Sequence, residues 1–428
     1  MTSSHVNQQK KRISVTIWYI SVALLWCLPS MILVGLSLPA AITGNIGASM
    51  VLTAIHAIIL GVLLTAAAGV LWQFVPIAFQ ARPLPRHVLY WHLPTHTLSV
   101  LFMSYGFLTH NFDIVAVGGS CLMLVTLAYG TFLVVSLRHA RNRTPVFSQL
   151  GWPLLFLPVI MFIGILLAAG MISGSNQWLA THAVIGLFGF WALLVIILSY
   201  KFFPMFALSH GYQASPQRVV RLYLAGLVLL ILGIWSPEHV TQFVSPLHLL
   251  GLLGAVISLI AELLFVRDAS HILRARKRKR LAPALSAAIC STVIVLTATT
   301  AAIVSTSLHL GGAPVPIAYA FLIGGLIPLL LSYLHKIVPF LRFEFRFSHA
   351  PDRKAAPALD DMVQRIPFVV GMSAYGVASA LSFLLLCFGD ANMVRAWGSR
   401  VGLVQALGVM IIGYGLLRIL RLGGPRPD

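Results

Sequence analysis

The sequence predicts an all-α membrane protein of twelve transmembrane helices, arranged as three pseudo-repeats of four. Three observations carry this reading. The chain has 428 residues, of which 59% are hydrophobic and 9% charged, and its mean hydropathy is +0.92. Such a composition cannot make a water-soluble surface. The apolar residues fall into long runs, and the basic residues gather at alternate ends of those runs.

Twelve runs can be read, at 15–40, 46–79, 87–110, 112–136, 151–173, 178–208, 219–236, 245–267, 282–307, 313–342, 366–389 and 399–420. A helix needs roughly 20 apolar residues to cross the hydrocarbon layer. Lipid offers a bare amide no partner, so each run must be a helix, and the runs are too long for barrel strands. The first run exceeds a signal-peptide core and lacks a clear small-x-small cleavage site, so it counts as a span.

The formal charge is +19. All the Lys and Arg residues except Arg395 and Arg400 fall before the first run, after the last, or at and beyond the even-numbered run ends. This asymmetry predicts that both termini are cytoplasmic. The densest stretch, RARKRKR at 274–280, reads as an anchor on anionic lipid rather than a nucleic-acid site. Cys27, Cys121, Cys290 and Cys387 lie in apolar runs without a CxxC, so neither a disulfide framework nor a zinc knuckle is expected.

Three runs end alike: LWQFVPIAF (71–79), SYKFFPMFA (199–207) and LHKIVPFLR (334–342). Aligned on Pro76, Pro204 and Pro339, they share a glycine fifteen residues earlier (Gly61, Gly189, Gly324). They also share a polar residue three earlier (Gln73, Lys201, Lys336) and a ring four earlier (Trp72, Tyr200, His335). The prolines fall in the second, sixth and tenth runs, which divides one membrane domain, 1–428, into repeats of about 13–143, 144–280 and 281–428. Mid-span glycines allow close approach by a helix or a flat ligand. Lys201 and Lys336 either snorkel to the headgroups or, with Gln73, His335, Glu262, His92 and His96, line a polar cytoplasmic vestibule.

Fifteen histidines are many for so apolar a chain, and intramembrane ionisable residues are functional candidates. His56 lies in the outer half of the second run. His182, His248 and His309 lie on the same side, with His110 and His239 at that surface. Neutral imidazoles from several helices can hold haem iron or copper. No two of these outer residues stand at i, i+4. On the inner side His92 and His96 do, but Pro94 between them predicts an irregular pair.

Twelve spans in three groups of four, with a histidine in the outer half of the second, resemble the catalytic subunit (subunit I) of the haem–copper oxidases. The stretch His56-x4-Gly61-x7-Gly69-x6-Pro76, followed by Arg82-Pro83, is similar to the second span of the NnrS family, twelve-span bacterial haem- and copper-containing proteins linked to nitric oxide stress. The architectural likeness covers nearly the whole chain, the motif only about thirty residues. The resemblance implies a bacterial inner membrane location, haem b held by His56 with His182, His248 or His309, and copper as a second metal. It also implies respiratory subunits or quinol as partners besides the lipid bilayer. Gly61 and Gly69 would clear room for the macrocycle.

The departures narrow this. Residues 219–236 lack the histidine pair of the oxidases' seventh span, and 313–334 lack their tenth-span His-x-His. A complete oxygen-reducing centre is therefore not expected. Two functions of different class follow. One is a haem-binding protein of electron transfer or of the nitric oxide and respiratory stress response, a membrane oxidoreductase if it is an enzyme. The other is a non-redox accessory or assembly subunit, or a transporter, that keeps the scaffold. Threefold repetition counts against transport, where inverted repeats are usual. Reporter fusions in the 274–280 loop are expected to read as cytoplasmic, and an external signal there would overturn the topology.

Overall fold

The computed structural model describes residues 3–144, 146–172, 176–236, 245–277, 279–308, 314–346, 357–359 and 361–421. Among them the chain is helical apart from turns, a short 3-10 turn at Phe147–Gln149 and an isolated bridge between Ser209 and Arg276. We number the long helices α1 (Ser3–Ile42), α2 (Ser49–Ala78), α3 (Arg86–Leu108), α4 (Phe112–Arg138), α5 (Gly151–Ala168) and α6 (Asn176–Ala207). The others are α7 (Pro216–Ile234), α8 (Pro246–Arg274), α9 (Pro283–Ser307), α10 (Pro314–Glu344), α11 (Arg365–Phe388) and α12 (Ala391–Arg421).

Eleven of these are long and apolar enough to cross a membrane, and the protein is a helical membrane protein. The other is α3, which has 23 residues but carries His87, His92, Thr95, His96, Thr97 and Ser99. Contrary to expectation, α3 runs unbroken through Pro94. The helix α12 begins earlier than its apolar run. Asp390 Oδ1 caps it, accepting the Asn392 and Met393 amides at 2.8 Å each, and capping there outweighs the polar first turns.

The helices close into a ring. Neighbours in contact are α1 with α2, α3 with α4, α4 with α5, α5 with α6, α7 with α8, α8 with α9, α9 with α10, α11 with α12, and α12 with α1. Three helices are much more enclosed than the rest: 72% of the apolar window is buried in α2, 78% in α6 and 61% in α10, against at most 44% elsewhere. They form the centre. Phe74 of α2 meets Phe202 of α6 edge-on at 5.1 Å, and Phe202 meets Tyr333 of α10 at 4.8 Å.

Within each central helix one stretch widens into a π-helix: Ala57–Leu64, Ile185–Ala192 and Ala320–Leu326. Counted back from Pro76, Pro204 and Pro339, all three begin nineteen residues earlier. Each contains the glycine of the repeated phrase. Such bulges replace i+4 bonds with longer ones and leave backbone groups in need of outside partners.

The seam that closes the ring rests on absent side chains. Gly35 of α1 faces Gly398 and Gly402 of α12, where a Cβ on Gly402 would lie 2.6 Å from the Met31 carbonyl oxygen and 3.0 Å from Gly35 Cα. Neither backbone atom can yield without moving its helix, and close backbone approach is how helices associate without a hydrophobic force between them. Gly402→Val is expected to cost about 1–3 kcal/mol or more, read as a lowered Tm of the purified protein in detergent. Gly376→Ala, where an added Cβ meets nothing within 4 Å, should leave Tm unchanged. Equal Tm values for the two variants would refute the seam.

Candidate functional site

In each central helix the carbonyl sixteen residues before the aligned proline receives a side-chain hydrogen bond from the third helix of its group. His96 Nε2 of α3 lies 3.1 Å from the Leu60 oxygen. Tyr223 of α7 donates to the Phe188 oxygen at 3.3 Å, and Tyr375 of α11 donates to the Ile323 oxygen at 2.7 Å. At the glycine in the next position, a Cβ on Gly61 would meet Trp26 of α1, one on Gly189 both Leu227 of α7 and Phe156 of α5, and one on Gly324 Ile294 of α9. The widened turns thus meet both a ring or branched chain and a hydrogen-bond donor.

His56 and His182 lie near the N-terminal ends of α2 and α6. His56 ends the α-helical start of α2, one residue before its π segment. Its Nδ1 is 2.8 Å from the Leu52 carbonyl; a carbonyl only accepts, so Nδ1 carries the hydrogen and Nε2 keeps its lone pair. The ring stacks on Phe107 of α3, with centroids 4.5 Å apart. His182 of α6 is seated against α5: its ring bonds to the Ile160 backbone, and its Cε1 occupies the space a Cβ would need at Gly164, 2.9 Å away. Gly164 is the residue that makes room for this ring, and without knowledge of neighbouring helices nothing in the sequence marks it. His248 is half-buried at the start of α8, where its backbone amide bonds to Ser245 Oγ at 3.1 Å. His309 and His239 lie outside the described residues.

Beside Gly61 and Gly69 lie Trp26 and Tyr19 of α1, which a Cβ at either glycine would meet. Gly69 brings in Tyr19, whose hydroxyl lies 2.6 Å from His92 Nδ1. Gln73, His335 and Glu262 are found at different helix interfaces. Gln73 Oε1 accepts from Thr16 of α1 at 3.0 Å, and His335 lies against Phe368 of α11, centroids 4.6 Å apart. Glu262 of α8 accepts from Thr300 of α9 at 2.5 Å, with its other oxygen unpartnered. Of the two lysines, Lys336 is buried and Lys201 half-buried.

A third assembly lies on α3. His92 and His96 are 2% and 0% exposed, with ring centroids 5.5 Å apart, and His92 lies 4.5 Å from the Tyr129 ring. Tyr129 donates to the Ala68 carbonyl at 2.7 Å. Its partners Tyr19 and Tyr129 have no sequence signature, because they come from α1 and α4. This group borders a cavity of about 330 Å³ between α2, α3, α4, α5 and α6. No family model matches the chain, and none of the curated proteins does.

The third-helix hydrogen bonds are open to direct test. Tyr223→Phe and Tyr375→Phe each strand a π-segment carbonyl, and each is expected to lower stability by about 1–3 kcal/mol, the cost of an unpaired buried polar group, read from thermal or denaturant unfolding in detergent. Unchanged stability in both would show that the carbonyls do not need these donors.

Proposed function

We propose that the chain is a haem-binding protein of the bacterial cytoplasmic membrane, with His56 and His182 as the axial ligands of one haem b. The observation that carries this reading is that two of the central helices, α2 and α6, each hold an imidazole just before the π segment, His56 and His182. His56 has its Nδ1 engaged by a backbone carbonyl, the arrangement in which a ligating histidine is oriented and its Nε2 left free for metal. Bound haem would supply one-electron chemistry. The chain's own residues hold the imidazoles, with Leu52 orienting His56, Phe107 covering its ring and Gly164 accommodating His182.

The architecture we propose with it is twelve spans, including α3, in three repeats of four, with both termini cytoplasmic. Three features support it: the common offset of the π segments, the common carbonyl taken by the third helix, and the gathering of basic residues at alternate helix ends. Electron transfer, or a part in the response to nitric oxide and respiratory stress, is the activity this scaffold suits. Among the described residues no three His, Cys, Asp or Glu side chains gather as a metal ion would need, so copper is left out of the proposal.

A second reading has its own observation. Phe107 and Leu52 house His56 without any cofactor, as a non-redox accessory subunit or a transporter on the same scaffold would require. An absorption spectrum separates the two. Protein purified from haem-replete cells is expected to show a Soret band that is lost in His56→Ala and lost or shifted in His182→Ala, while both variants stay monodisperse in detergent. A colourless wild-type protein would sink haem binding and leave the scaffold reading.

A further inference from the structure

The cavity between α4 and α5 has the composition of a binding site that His56 and His182 do not use. Its walls are almost wholly apolar, with Leu64, Ala67, Leu71, Leu154 and Leu157 among them. Among its lining residues are His96 and Thr126, and each holds a buried polar atom without a partner: His96 Nδ1 and Thr126 Oγ1. The state of His96 follows from its other nitrogen. Nε2 lies 3.1 Å from the Leu60 carbonyl and 3.1 Å from Thr65 Oγ1; the carbonyl only accepts, and the Thr65 hydroxyl donates its hydrogen to that same carbonyl at 3.2 Å, so in the neutral ring Nε2 bears the hydrogen and Nδ1 is an unshared lone pair. A fully buried acceptor left empty costs free energy comparable to a lost hydrogen bond. It therefore calls for a donor arriving through the cavity.

The route to it is through lipid. Leu127, Val134 and Val135 of α4 line the cavity and are also 42%, 40% and 45% exposed, which places the mouth on the membrane-facing flank of the ring. The half-buried Leu154 and Leu157 face it from α5. Arg138 stands at the rim where α4 ends. A volume of about 330 Å³ falls at the small end of ligand pockets, which are apolar with a few placed polar groups.

The geometry points to a site for an uncharged, lipid-soluble molecule with a hydroxyl head and an apolar tail. The hydroxyl donates to His96 Nδ1 and accepts from Thr126 Oγ1, and the tail leaves between α4 and α5. Two sources share that chemistry: a membrane hydroquinone and a neutral lipid alcohol. An anion is disfavoured, since His96 and Thr126 offer it a lone pair and one hydroxyl. The inference stands apart from the haem reading, because none of its residues touches His56 or His182 in the contacts described above.

The test uses the full-length protein in nanodiscs with three radiolabelled probes: decylubiquinol, its dimethyl ether, and dioleoylglycerol. Saturable binding of decylubiquinol or of dioleoylglycerol supports the site and identifies the source, and the ether, which lacks a donor, should bind more weakly than its parent. Thr126→Val should weaken the bound probe about fivefold, the worth of one neutral hydrogen bond. Gly130→Leu should abolish binding. Gly130 lines the cavity and an added Cβ there meets nothing within 4 Å, so this variant fills space without straining the fold, which its unchanged Tm would confirm. No saturable binding by any probe, equal binding of the ether, or full binding in folded Gly130→Leu would each overturn the proposal and leave the cavity to water or acyl chains.

Discussion

The structure depends on one constraint: inside a membrane, every backbone carbonyl must find its partner within the protein. An unsatisfied group in hydrocarbon costs several kcal/mol. The π segments of α2, α6 and α10 strain this rule at the most enclosed part of the molecule, and each is answered by a side chain from a neighbouring helix. His96, Tyr223 and Tyr375 do more than pack. Each ties the third helix of its group to the centre at a fixed height, one residue from the glycine of the repeated phrase. The central helix is thereby held by side chains of its neighbours, while the outer helices close on one another through small residues, as at Gly35 and Gly402.

The polar groups then follow from where the ring leaves room. Beside the His96 contact lie His92, Tyr19 and Tyr129 with a cavity. Beside Tyr223 lies Glu262 within Coulombic reach, bonded to Thr300. On the third side Gln405 of α12 donates to Tyr319 of α10 at 2.7 Å and to Ser379 of α11 at 3.1 Å. Three similar backbone devices therefore support three chemically different surroundings: imidazole, carboxyl and amide. Divergence of this kind is expected where the fold is maintained by backbone satisfaction and the remaining polar positions are left to function.

Much of this was legible in the chain itself. The apolar runs match the eleven helices long and apolar enough to cross a membrane, because span length and hydropathy are local properties. The phrase ending in Pro76, Pro204 and Pro339 marks the three helices that prove most buried. What could not be read was how neighbours meet. Gly61 and Gly69 look like clearance for a flat ligand, and only the packing shows Trp26 and Tyr19 beside them. Pro94 suggests a break in α3, yet surrounding helices keep it straight enough for His92 and His96 to stand together. The π segments have no composition signal of their own; the clue was positional, a glycine at one offset in three helices. Asp390 as a cap was readable, and the hydropathy of the run that follows masked it.

His56 and His96 illustrate two ways of keeping an imidazole in lipid. A neutral ring has one donor and one acceptor, and burial without partners is costly. In both His56 and His96 the donor goes to a carbonyl of α2, Leu52 in one case and Leu60 in the other. Those carbonyls lie eight residues apart, on either side of the start of the π segment. In each ring the acceptor nitrogen is the atom left over, Nε2 in His56 and Nδ1 in His96. The same helix thus sets the tautomers of both histidines, and in opposite senses. For His56 this leaves free the nitrogen farther from the ring's attachment, and for His96 the nearer one. The distinction lies in the backbone of α2, whose carbonyls leave a different ring nitrogen free in each histidine.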